Sequence, residues 1–313
     1  MTAYILRRIG IAVLMVFVVT SLAFFLVALM PNDVTQTILG PDATADQRAA
    51  LRADLGLDRP AVERYVEFWA DFVRGDLGTS LVNSRPVLDQ VAERLPITLT
   101  LAMGGTVLCV IIGIVFGTIA ATRGGWVDGL IRGAAGTLLA LPNFWLAVLL
   151  VLVFAVTLRL LPASGWTPFT DDPSDWAVHL TLPMIAIVLG SSASITRQAR
   201  VAMLDVLRRD YISTLRATGL PEWRVVWIHA LRNASIPVLT VVGLQFVSLF
   251  GGAVLIEQVF SLPGVGQLAL TAVNVGDVPL ILGIVVCSSV LILVLNLLID
   301  VLYGVINPKA RIV

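Results

Sequence analysis

The chain is organised around runs of about 20 apolar residues, each long enough to cross a ~30 Å hydrocarbon core as a helix. In lipid every backbone N–H and C=O needs an internal partner, and helices supply one for each. Six such runs, near residues 9–30, 97–121, 133–158, 179–196, 236–256 and 279–304, predict an all-α, polytopic membrane protein. The fourth is short and serine-rich, reading GSSASI before Arg197. Only 13% of the 313 residues are charged, against about a quarter in soluble domains. The zero net charge offers no basic footprint for nucleic acid. Cys109 and Cys287 sit inside apolar runs and read as buried small hydrophobes, not as a disulfide or metal pair.

The first run follows Arg7-Arg8 as a signal peptide would, but it is too long and lacks an A-x-A-like site, so it is expected to remain as the first span. With the N-terminus inside, the inner segments hold 13 basic and 5 acidic residues, and the outer ones 8 and 16. The positive-inside bias therefore places both termini in the cytoplasm.

Two segments between spans stand out. Residues 31–96, on the outer side, contain Thr44-Ala-Asp-Gln47, a capping box opening a helix that ends near Gly56. Pro60 can open a second helix, with Val62, Tyr65, Val66, Trp69 and Val73 on one apolar face and Gly75 as its stop. This predicts a small folded extracytoplasmic insertion, packed on the outer mouth or touching a partner. The inner loop, residues 197–235, contains RATGLPEWRVVWIHALRN. A helix from Asp210 must stop at Gly219, because glycine suits the position after a helix and Pro221 disfavours helix at Leu220. Pro221 and Glu222 then suit the first turn of a new short helix. Along it Trp223, Val226, Trp227, Ala230 and Leu231 form an apolar stripe. That stripe must be covered by the chain's own helix ends, by lipid, or by a groove on a partner.

Few polar groups interrupt the spans. Asn296 and Asp300 share a helix face, as residues four apart do; Glu257 ends the fifth span, and Ser191 and Ser192 lie in the fourth. These five are candidates to line a substrate pathway, with interhelical or interfacial roles as the alternative. Gly113-x-x-x-Gly117 permits close helix approach. Catalytic signatures are missing: there is no H-E-x-x-H and no G-x-S-x-G, and the single lysine, Lys309, follows a proline, so a Walker A loop cannot form. No catalytic or metal site is predicted. A proton-coupled secondary transporter is the rival class, but it would usually show charged groups near the midplane.

The inner loop resembles the EAA loop of ATP-binding-cassette (ABC) importer permeases: E-A-A, three residues, glycine, nine residues, then I-x-L-P. Gly219 fits the glycine; Ser213-Thr214-Leu215 stands at E-A-A and His229-Ala230-Leu231-Arg232 at I-x-L-P. Arg216-Ala217-Thr218-Gly219-Leu220-Pro221 followed by HALRN is similar to the dipeptide/oligopeptide/nickel branch, with Thr218 where that branch often has lysine. YILRR, LGLDRP, YVEFWADFVRGDLGTS, LPNFW, LPASGW, IEQVFSLPGVGQL and NLLIDVLYGVINP resemble the same branch, in order, from residue 4 to 308. The resemblance implies a type I ABC importer permease fold for residues 1–313, in a bacterial inner membrane. It implies import of di- or oligopeptides, or alternatively of nickel or a metal chelate. A second permease chain, two ATPase subunits binding ATP and Mg, and an extracytoplasmic binding protein are the implied partners, with lipid around them; no cofactor belongs to this chain. Arg216, Ala217, Gly219, Leu220, Pro221, Glu222, Trp223 and Trp227 would form the ATPase-coupling segment.

Overall fold

The computed structural model describes residues 2–29 and 34–306, and the side chains of residues 7–29 and 34–298. In chain order its helices are α1 (Thr2–Ala28), α2 (Val34–Leu39), α3 (Ala45–Asp54), α4 (Ala61–Val73), α5 (Val87–Leu99), α6 (Gly105–Arg123), α7 (Gly125–Ala140), α8 (Asn143–Leu150), α9 (Pro173–Leu207), α10 (Asp210–Ala217), α11 (Glu222–Arg224), α12 (Leu231–Val259), α13 (Val265–Val275) and α14 (Val278–Ile306). Three π-helical stretches, Thr100–Gly104, Val151–Thr157 and Val225–Ala230, join α5 to α6, extend α8, and join α11 to α12. Among the described residues the only β pairing is one isolated bridge, Thr79 with Pro86. Among the described residues five continuous helices are long and apolar enough to cross a membrane, and six if one bent pair counts as a span.

That bent pair departs from expectation. The run at 133–158 is not a straight helix: Gly125–Ala140 and Asn143–Thr157 meet at 98°. Pro142 is the cause. Its ring disfavours helical backbone at the preceding residue, and Leu141 is extended at φ −93°, ψ 130°. The chain restarts with Pro142 as N-cap, whose carbonyl accepts from Trp145 and Leu146. The fourth run shows the opposite error: α9 is 35 residues long and continues well past residue 196.

The chain divides into two compact units. The first comprises Met1–Pro96 and Gly264–Leu297. Val87 and Val91 of α5, Val265, Leu268 and Ala272 of α13, and Leu280, Ile281 and Ile284 of α14 form its core. Asp277, buried between α13 and α14, accepts from Ser80 Oγ at 2.5 Å and from the backbone N–H of Leu81 and Leu280. Thr44 caps α3 through both halves of the capping box. On α4 the packed face is not the expected one. Tyr65, Phe68, Trp69 and Phe72 turn inward, and Val62, Val66 and Val73 remain exposed. Aromatic rings bury more area than valine and pack edge-on in pairs. Trp69 meets Phe17 at 4.9 Å, Tyr65 meets Phe24 and Phe25 at 5.3 Å, and the Tyr65 hydroxyl bonds Ser21 at 2.7 Å.

The second unit comprises Ile97–Pro263 and Leu298–Val313. Its central element is α9, which packs against α6, α7, α8 and α12. Gly113 and Gly117 allow the α6–α9 approach: a Cβ on Gly117 would stand 2.7 Å from the Thr196 carbonyl oxygen, and one on Gly113 2.6 Å from Ile195 Cγ2. The small-residue pattern is therefore packing.

Candidate functional site

The loop at residues 197–235 folds as a tight turn over a core of its own. Helix α10 ends at Ala217, and Gly219 takes φ +80°, a left-handed conformation that costs side-chain-bearing residues about 1–2 kcal/mol. Pro221 then caps the next helix, accepting from the N–H of Arg224 and Val225. A two-pronged ion pair closes the turn: Arg216 Nη2 meets Glu222 Oε1 at 2.6 Å and Arg216 Nε meets Oε2 at 3.1 Å. The Glu222 carboxylate, by hydrogen bond and charge, holds the Arg216 guanidinium above its ordinary pKa. Both partners are largely exposed, so the pair orients the turn more than it stabilises the fold. Thr218 donates its hydroxyl to the Leu215 carbonyl at 2.8 Å.

The segment after the turn corrects two expectations. It is not a separate short helix; Glu222–Val259 is one continuous helical run into the fifth span. Nor does its apolar stripe face one way. The π geometry from Val225 to Ala230 brings Val225 inward beside Val226 and Ala230, which pack on Ala202, Met203 and Val206 of α9, Ile212 of α10 and Ala234 of α12. Trp223 stays 57% and Trp227 40% exposed, with Ile228 beside them. The Arg224 guanidinium lies over the Trp223 ring at 5.2 Å. Two tryptophans presented on a surface whose supporting core is already filled are the kind of anchor that partner proteins bury.

Of the pathway candidates, Ser191, Ser192 and Glu257 lie in the second unit and Asn296 in the first. Ser191 and Ser192 are buried on α9, in the second unit. Asn143 lies directly over Gly190, leaving no room for a Cβ, and its Nδ2 approaches Ser191 Oγ at 3.5 Å. Glu257 is fully enclosed, in place of the interfacial position open to it in the sequence, and accepts from Thr98 Oγ1 at 2.6 Å. Asn296 is half-buried on α14, in the first unit, and the side chain of Asp300 lies outside the described residues.

One partly buried charge pair escaped the sequence reading. Asp128 of α7 takes Arg200 of α9 at 2.5 and 2.7 Å, with Arg132 at 3.3 Å. The signal was the spacing of Ile195, Ala199, Ala202, Met203 and Val206, which carries a buried helical face past residue 196. Among the described residues no cluster of three or more His, Cys, Asp or Glu could hold a metal.

Comparison with known proteins decides the family. The model for binding-protein-dependent transport system inner membrane components matches residues 113–312, and that for the N-terminal part of such components matches residues 1–102. The chain belongs to this family. It is a multi-pass permease subunit of an ABC transport system, which works with an ATPase and a substrate-binding partner and is not itself an enzyme. This permease is 38% identical over 312 residues, 99% of each chain, to a Brucella abortus protein named as a peptide transport system permease. It is 36% identical to a Sinorhizobium fredii protein named as a peptide ABC transporter permease, over 99% of this chain and all of that one. It is 38% identical to the glutathione transport system permease protein of Escherichia coli, over 99% of each.

Proposed function

We propose that this permease imports short peptides, with Trp223 and Trp227 as the surface through which ATP hydrolysis elsewhere drives it. The observation that carries the coupling assignment is the exposed tryptophan pair beside the Gly219 turn, on a core the chain fills by itself. An ATPase subunit would cover the pair, with Arg216, Ala217, Leu220, Pro221 and Glu222 holding the turn that presents it. Motion there passes into the fifth span directly, because no break separates Trp223 from Val259. The full assembly is this chain with a similar second permease, two ATPase subunits that bind Mg-ATP, and an extracytoplasmic binding protein. Both termini face the cytoplasm, residues 197–235 form the coupling loop, and residues 31–96 form an insertion entered from the outer side.

The peptide assignment is supported by full-length relatives named for peptide and glutathione transport. Uptake of labelled di- and tripeptides, glutathione and nickel in cells with and without the gene tests it. Peptide or glutathione uptake should fall on deletion and return with the intact gene but not with Trp223→Asp. Loss of nickel uptake alone would overturn the peptide reading. Uptake that survives ATP depletion but collapses with the proton gradient would overturn the ABC coupling.

A further inference from the structure

The α4 helix sits beside the middle of a membrane span, although it belongs to the segment expected outside the membrane. On α1 the apolar span runs Arg7–Ala28. At ~1.5 Å per residue, Phe17 lies about 14 Å from Arg8 and about 16 Å from Ala28, at the midplane of a ~30 Å core. Trp69 packs on Phe17, and Tyr65, one turn earlier, packs on Ser21, Phe24 and Phe25 nearer the Ala28 end. Helix α4 therefore runs down α1 antiparallel, and Val73 lies a turn deeper than Trp69. A second contact agrees. Phe72 and Gly75 line an apolar cleft of about 400 Å³ with Leu95, Cys287, Val290 and Val294, the last three near the middle of α14, which runs Val278–Ile306. Both neighbours thus place the C-terminal end of α4 at mid-span.

The faces of α4 sort accordingly. Beside the aromatic face lies a flank of Val62, Val66 and Val73, exposed by 68, 61 and 82%. On α1, Leu14 and Phe17 are likewise exposed. The back carries Glu63, Glu67 and Arg74, with surface ion pairs Arg59–Glu67 at 2.7 Å and Arg74–Asp71 at 3.4 Å. Charges at membrane depth face protein or a water-filled cavity. We propose that α4 is a membrane-embedded wall whose valine flank touches lipid acyl chains and whose charged back faces water at membrane depth. This rests on the chain being a membrane protein and not on its substrate.

Nitroxide labels report both halves. The assembled transporter, with Cys109→Ala and Cys287→Ala, would carry a single label at Val66→Cys, Val73→Cys, Glu67→Cys or, as lipid reference, Leu14→Cys. In nanodiscs of phosphatidylethanolamine and phosphatidylglycerol, collision with oxygen is compared with collision with a water-soluble nickel chelate. Val66 and Val73 should favour oxygen several-fold, as Leu14 does, with Val73 the more biased, and Glu67 should favour the chelate. Chelate preference at both valines would mean that α4 stands in water and would overturn the proposal. Low collision with both reagents would mean that a partner protein covers the flank and would equally overturn it. Oxygen preference at Glu67 would remove the aqueous back.

Discussion

Replacing Trp223 by alanine separates a binding role from a folding role. The side chain is 57% exposed, and the Arg224 guanidinium lies over its ring at 5.2 Å. Its removal should cost the chain's own stability no more than about 0.5 kcal/mol, as surface substitutions do. A tryptophan central to a protein interface contributes about 2 kcal/mol or more, which corresponds to about 30-fold in affinity. Val225 is the control: it is fully buried two residues away, and Val225→Ala removes two carbons and leaves a cavity, costing the fold about 2 kcal/mol. Binding of purified ATPase subunits to the permease in nanodiscs, beside thermal unfolding of the permease alone, reads both quantities. Trp223→Ala should weaken ATPase binding about 30-fold and leave the unfolding temperature almost unchanged, whereas Val225→Ala should lower that temperature. Unchanged ATPase affinity in Trp223→Ala, with an unfolding temperature lowered as far as in Val225→Ala, would refute the reasoning and make Trp223 a packing residue.

Other substitutions test the supports of that surface and the frame behind it. Gly219→Ala should destabilise the turn by about 1 kcal/mol and Gly219→Asn by less, since asparagine tolerates the left-handed region; faster hydrogen exchange around residues 217–222 would report it. Gly117→Val forces a side chain against the α9 backbone and should cost about 3 kcal/mol, seen as loss of folded protein on size exclusion. Gly129, whose Cβ would meet nothing within 4 Å, should accept alanine with no loss, and a drop in yield there would contradict the packing account. Asp128→Ala and Arg200→Ala should each lower the unfolding temperature, while the double variant should lose less than their sum, with a coupling of about 1–3 kcal/mol; strict additivity would show that the pair contributes nothing.

What could be read from sequence follows from where the controlling physics is local. Apolar runs report membrane helices because lipid imposes one requirement on every residue of the run, and Gly219 with Pro221 reports a break because backbone sterics act within two residues. The misreadings arise where packing chooses among options that sequence leaves equal. On α4, valines and aromatics alternate around one side, and only the rings of α1 decide that Tyr65 and Trp69 turn inward. In the segment after Gly219, a 3.6-residue period does not describe a stretch that winds with i→i+5 bonds, so it leaves out Val225 and groups the tryptophans with residues that point inward. Glu257 could be placed at an interface by its position in the chain; its enclosure depends on Thr98, 159 residues away. The bend at Pro142 was written in the sequence as Leu-Pro-Asn, but proline is also carried inside α5, α9 and α12, so its presence alone does not mark a corner.

The π stretch at Val225–Ala230 has a further consequence for the helix it interrupts. A π turn holds more residues than an α turn, so the surplus can migrate along the helix without breaking it. Only the residues it passes are re-aimed, by about 100°, the rotation per residue of an α-helix, and the parts on either side keep their phase. Trp223 on one side of the stretch and Glu257 on the other would keep their orientation while the residues between its old and new positions turn. A change in which face of α12 meets α9 requires no change in the position of its ends.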